Sequence, residues 1–131
     1  MDSDSRAVVD FLTSMQPVRE ALHDLLRQLY KRAGVKFVHT YDVEATLSPG
    51  FGLSAELHSG AVIDFWLELT FECDCWVLEY SVQRHNPDED VSHAEKSFPP
   101  QSIRSALDLP TALINAIQDL KQASADDSIF R

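Results

Sequence analysis

Hydrophobic positions near the N-terminus repeat with the spacing of an α-helix. Over residues 4–33 they recur at intervals of three and four, the period of one helix face. Pro17 interrupts this segment and lacks the amide hydrogen that a helix interior needs, so the pattern predicts either two helices or one helix kinked at Pro17. Gly34 follows as a natural stop.

From Val35 onward the hydrophobic period changes to two, which predicts four β-strands joined by tight turns. The first strand is predicted to place His39 and Tyr41 on its apolar face. In the third and clearest strand, residues 61–72, one face is apolar. The other face of that strand carries Val62, Asp64, Trp66, Glu68, Thr70 and Glu72.

Matching apolar faces across neighbouring strands sets a predicted register. A two-residue turn at Cys73-Asp74 pairs Glu68 with Glu79 on the polar face, and a five-residue loop after the first strand pairs Glu44 with Glu56. Like charges directly opposite one another are mildly destabilising. The register therefore predicts a polar face that is costly to the fold.

The C-terminal third begins with a polar stretch and ends in a helix. Residues 84–101 are acidic and proline-containing, which predicts a long surface loop. A final amphipathic helix is predicted to begin near Asp108-Leu109-Pro110, and residues 124–131 to form a frayed tail. We therefore expect a single domain over residues 1–131.

The order of these segments defines the expected architecture. It is a two-layer α+β domain, with an N-terminal helix, a four-stranded antiparallel meander and a C-terminal helix packed on the same sheet face. The other face of the sheet is left for solvent or for a partner.

Charge is distributed unevenly along the chain. The 131 residues carry a formal net charge of −10, from 11 basic and 21 acidic side chains, and this balance argues against nucleic-acid binding. No Lys or Arg occurs between Lys36 and Arg84, whereas ordinary surfaces mix both signs. The predicted sheet is therefore acidic, and it fits a basic protein partner. The residues expected to bind that partner are Glu44, Glu56, Asp64, Glu68, Glu72 and Glu79, with Trp66 as a hydrophobic anchor.

No secretory signal or membrane-spanning run is recognisable, and the two cysteines are too close in sequence for a long-range disulfide. We therefore expect a cytoplasmic protein with no nucleic-acid or membrane partner; a homodimer stays open.

Two other kinds of site were weighed. Cys73, Cys75, His85 and His93 could hold zinc, but their spacing lacks the usual Cys-x-x-Cys pairs, and we expect no metal or cofactor. His39 and Tyr41, with His58 or Asp42, could line a catalytic or ligand-binding cleft between sheet and helices. No nucleophile elbow, phosphate loop or dinucleotide fingerprint is present, so we expect a protein that is not an enzyme.

The helix–sheet–helix plan resembles the small acidic immunity proteins that bacteria pair with polymorphic or contact-dependent growth-inhibition toxins. The segments VIDFWLELTFECDCWVLEYSV (62–82) and DLPTALINAIQDL (108–120) come nearest to a signature. The resemblance implies a cytoplasmic inhibitor that blocks the active site of one cognate toxin, frequently a basic nuclease. A second resemblance, to class I type III secretion chaperones, is weakened because those proteins usually interleave a helix among their strands.

Overall fold

Two helices precede the sheet. The computed structural model describes residues 2–43, 50–89 and 93–131; in it α1 spans Ser3–Ser14 and α2 spans Gln16–Tyr30. Pro17 lies in the first turn of α2, where a missing amide hydrogen costs no intrahelical bond. The proline therefore starts a second helix.

The sheet is antiparallel and larger than expected. Its strands are β1 (Val35–Val43), β2 (Gly50–Leu57), β3 (Val62–Glu72), β4 (Cys75–His85), β5 (His93–Ser97) and β6 (Gln101–Ile103). They lie in the order β1-β2-β3-β4-β5, and β6 also pairs with β4. The α+β class with helices at both ends is confirmed.

The predicted number of four strands is wrong, because β5 lies in the segment 84–101 that we expected to be a loop and β6 begins at the last residue of that segment. β5 has the sequence HAEKS and β6 only three residues, so neither shows a hydrophobic alternation. Both are held by backbone pairing with β4, an interaction that leaves no pattern in the sequence.

A bulge in β1 reverses the expected faces of that strand. Val35 pairs with Leu57 and Phe37 with Glu56, so Lys36 is the extra residue. An extra residue shifts the side-chain alternation by one. Val38 is therefore buried in the core, and Phe37 is 48% exposed.

One hydrophobic core lies between the sheet and the helices. Helix α3 spans Leu109–Ser124, and both α2 and α3 contribute fully buried side chains to the cluster that covers the sheet, among them Leu25, Leu29, Ile117 and Leu120. We call the covered face of the sheet the inner face and the opposite face the outer face.

The C-terminal segment is docked on the domain. Asp127–Phe130 form a short 3₁₀ helix, and Ile129 is only 2% exposed. An Nη of Arg84 donates to the carbonyl of Ile129 at 2.7 Å, and the Arg32 guanidinium lies 4.1 Å from the centre of the Phe130 ring. The expectation of a frayed tail over 124–131 is therefore wrong for this segment. Its contacts are with arginines distant in sequence, which local composition does not reveal.

Candidate functional site

The outer face of β3 and β4 carries four of the six acidic residues that the sequence singled out, namely Asp64, Glu68, Glu72 and Glu79. Ile63, Phe65 and Leu67 are buried in the core, so the alternate residues of β3 point away from the helices. The predicted register between these strands is confirmed, since Glu68 pairs with Glu79 and Trp66 with Ser81.

The predicted pairing of Glu44 with Glu56 is not what the structure shows. Glu44 lies outside the described residues, and the residue opposite Glu56 is Phe37. The difference arises because Val43 pairs with Gly50 rather than with a residue near the end of β2, and because the bulge at Lys36 shifts the strand.

At one end of the outer face the carboxylates are already paired within the protein. Asp64 accepts a hydrogen bond from the Ser54 hydroxyl, and its other oxygen lies 2.8 Å from His85 Nε2. Glu56 lies 4.0 Å from Lys36 Nζ and 3.8 Å from His39 Nε2. The structure thus gives Asp64 and Glu56 internal partners that sequence reasoning did not foresee.

At the other end no described residue supplies a counter-charge to the carboxylates. Glu68, Glu72 and Glu79 lie on the half of the β3–β4 hairpin nearer its turn, and Asp74 lies in the turn itself; we call this group the acidic hairpin end. In the part of the chain that the structure describes, none of the four forms an ion pair or a side-chain hydrogen bond. The outer face is therefore divided into an end whose carboxylates have internal partners and an end whose carboxylates have none among the described residues.

Trp66 lies on the same face, beside the acidic hairpin end. It is half-buried, and in the sheet register it lies between Gly52 of β2 and Ser81 of β4. Both neighbours are small, so part of the indole surface stays accessible above the sheet. A rigid aromatic ring among carboxylates is a common kind of interface anchor.

The turn between β3 and β4 consists of only two residues, Cys73 and Asp74. Cys73 and Asp74 both have positive φ angles, 48° and 61°, which is the two-residue turn geometry that matches the twist of antiparallel strands.

Phe71 is a candidate contact residue that the sequence did not indicate as exposed. It lies on the inner face but is 54% exposed, and the centre of its ring lies 4.9 Å from that of Trp76, with the two rings tilted by 58°. The strands β3 and β4 have 11 residues each, or ~37 Å, whereas the 16 residues of α3 span only ~24 Å. Helix α3 is shorter than the hairpin, so it cannot cover the whole length of β3 and β4. This difference in length could have predicted from the sequence that Phe71 is exposed.

The proposed catalytic cleft is not formed by His39. This side chain was expected on the inner face, but it lies on the outer face, 57% exposed and 4.5 Å from the Phe37 ring. The bulge at Lys36 is the physical reason. His58 lies in the exposed turn between β2 and β3, so the structure does not bring His39 and His58 into a cleft between sheet and helices.

The four residues considered for zinc do not come together. Cys75 and His85 mark opposite ends of β4, and Cys73 is exposed in the turn. His93 contacts Glu89 and pairs in register with Arg84, at the end of β4 away from the cysteines. Among residues 2–43, 50–89 and 93–131, no group of three or more His, Cys, Asp or Glu side chains is placed to hold a metal ion.

One buried polar cluster lies beneath the sheet. The Tyr80 hydroxyl donates to Asp119 at 2.6 Å, accepts from the Gln101 amide at 3.3 Å, and its ring stacks on Phe98. Burial, and then the bond to Asp119, raise the pKa of Tyr80 to about 12. Because Tyr80 is 4% exposed, this cluster serves to lock α3 onto β4.

Comparison with protein-family models, curated proteins and solved structures gives no match. None of the helices in the described residues has the length and apolar character needed to cross a membrane. The site must therefore be interpreted from its own geometry.

Proposed function

We propose that this protein is a non-enzymatic inhibitor that neutralises a basic protein partner, and that the partner is a cognate bacterial toxin of the nuclease type. In this proposal it acts in the cytoplasm as an immunity protein. The observation that carries the proposal is the acidic hairpin end, which lies beside a half-buried tryptophan. Its carboxylates are exposed or, for Glu68, half-buried, and receive no counter-charge from any described residue.

The acidic hairpin end favours binding of a basic partner, whereas its like charges disfavour folding. Like charges held on adjacent strands repel each other, which lowers stability, and the structure supplies no cation to relieve the acidic hairpin end within the described residues. A basic partner would remove this repulsion on docking. The relief of this repulsion on docking would then add to the affinity for the partner.

A nuclease partner explains the sign and the concentration of the charge. A nuclease holds a polyanion in a positively charged cleft, and an inhibitor has to compete for that cleft. A projecting hairpin with carboxylates on one side and Phe71 on the other has both the charge and the shape to enter it. Electrostatic attraction also accelerates association and makes it salt-sensitive.

Two alternatives have less support. A class I type III secretion chaperone would carry a helix among its strands, but β1 to β6 follow one another without a helix in the described parts of residues 35–103. An enzymatic or ligand-binding role at His39 and Tyr41 loses its basis, because His39 lies on the outer face.

The test is a protection assay in which cells express this protein together with a candidate toxin of the nuclease type. The test variant reverses three charges at the acidic hairpin end: Glu68→Lys, Glu72→Lys and Glu79→Lys. These residues make no internal ion pair in the described structure, so the fold should tolerate the changes. The matched control reverses three exposed carboxylates on the helical segments: Asp10→Lys, Glu20→Lys and Asp108→Lys.

The proposal predicts that the wild type and the control variant protect the cells, whereas the hairpin variant does not. Circular dichroism should show that both variants are folded. Protection by the hairpin variant equal to that of the wild type would refute the role of the acidic hairpin end. Failure of the wild type to protect would refute the pairing with that toxin.

A further inference from the structure

A basic groove lies on the helix layer, away from the acidic outer face. It has a volume of about 590 Å³ and lies between the C-terminal ends of α2 and α3. The two helix ends are held together by the Gln28 side-chain amide, which donates to the Lys121 carbonyl at 2.9 Å and to the Ser124 hydroxyl. The polar residues that line the groove are Asp24, Arg27, Gln28, Lys31, Arg32 and Lys121.

The charge of this groove exceeds what the helix ends require. The lining has four cations and one carboxylate, a charge of +3, and the bond from Arg32 to Asp127 lowers this to +2. Each helix C-terminus is equivalent to about −0.5 charge, so stabilising both ends leaves a surplus of about +1. In a chain whose net charge is −10, this local excess calls for a negative group from outside.

The cations differ in how firmly they are held. Arg32 is only 16% exposed, binds Asp127 and lies over the Phe130 ring, so it forms a fixed wall. Arg27 is exposed and binds Asp24. Lys31 and Lys121 form no ion pair with any described residue, which leaves them available to a ligand.

We propose that this groove is a second docking site, and that it binds an acidic peptide segment of a protein partner. The groove is open along its length, whereas sites for small ligands enclose most of the ligand surface. A surplus of about one charge matches a segment with one or two carboxylates. A long polyanion such as nucleic acid would meet the repulsion of the whole acidic chain.

The test measures the fluorescence anisotropy of a labelled peptide with glutamate at alternate positions, titrated with the full-length protein. A second peptide with glutamine in place of each glutamate reports binding that does not depend on charge. The test variant is Lys31→Gln with Lys121→Gln, and each single change serves if the double variant does not fold. The control, Arg6→Gln with Arg19→Gln, removes two exposed cations elsewhere on the helices.

The proposal predicts that the glutamate peptide binds the wild type, that the test variant binds it at least about tenfold more weakly, and that the control changes affinity less than about twofold. The hairpin variant Glu68→Lys, Glu72→Lys and Glu79→Lys should retain peptide binding, which separates this site from the proposed inhibitory face. Equal binding of the glutamine peptide, or equal losses in test and control variants, would overturn the proposal. Displacement of the peptide by inorganic phosphate at low concentration would assign the groove to small anions instead.

Discussion

Glu68 and Glu79 lie directly opposite each other on the adjacent strands β3 and β4, on the face of the sheet that the helices leave uncovered. No described residue supplies a counter-charge to either one. This pair opposes folding, because like charges directly opposite each other on adjacent strands repel.

Neutralising one member of the pair should stabilise the isolated protein. Removing the repulsion by Glu79→Gln is expected to raise the free energy of unfolding by roughly 0.2–1 kcal/mol, and to weaken binding of a basic partner. Urea denaturation measures the first effect. Glu20→Gln, an exposed change on α2, is the control and should change stability less. A loss of stability in Glu79→Gln would show that the carboxylate supports the fold.

Two phenylalanines on the same strand should respond differently to truncation. Phe71 is 54% exposed at the end of the hairpin, and Phe65 is fully buried. Phe65→Ala is therefore expected to cost about 3–5 kcal/mol of unfolding free energy, whereas Phe71→Ala should cost less than ~1 kcal/mol. In a binding assay Phe71→Ala should still lower the affinity for the partner. A large loss of stability in Phe71→Ala would contradict its assignment as a contact residue.

The C-terminal segment should contribute to stability as part of the core. Ile129 is 2% exposed and its carbonyl accepts from Arg84, so Ile129→Ala is expected to cost ~2–5 kcal/mol. Thermal or urea denaturation measures this change. Gln122→Ala, at an exposed position of α3, is the control. A cost below about 0.5 kcal/mol would mean that the segment is frayed after all.

Alkaline pH should destabilise the domain through Tyr80. Its pKa is raised from 10.0 to about 12 in the folded protein, so the folded state holds this proton more tightly than the unfolded state. The associated stability is fully present below pH 10 and is lost as the pH rises from about 10 to about 12, in total ~2–3 kcal/mol.

The variant Tyr80→Phe isolates this effect from that of other groups. Its stability should fall less steeply than that of the wild type over the same pH range, because phenylalanine does not ionise. Parallel stability curves for the two proteins would show that Tyr80 ionises equally easily in the folded and unfolded states.

The hydrophobic pattern predicted β3 and β4 well because both strands alternate cleanly and the turn between them is short. It predicted the pairing of Glu68 with Glu79, and Pro17 marked the interruption of the N-terminal helical segment. The pattern failed at Lys36, where one inserted residue reversed the faces of β1. It also failed at β5, a strand that has no alternating apolar residues and is held by its backbone pairing with β4. Asp64 and Glu56 have internal partners because His85 and Lys36 reach them, contacts that only the three-dimensional arrangement creates.

The most direct test of the central claim is the affinity of the purified basic partner at increasing ionic strength, compared between the wild type and the variant Glu68→Gln, Glu72→Gln and Glu79→Gln. If the acidic hairpin end carries the binding, the variant should bind at least about tenfold more weakly at low salt, and its affinity should depend less steeply on salt. Unchanged affinity with an unchanged salt dependence would contradict the account.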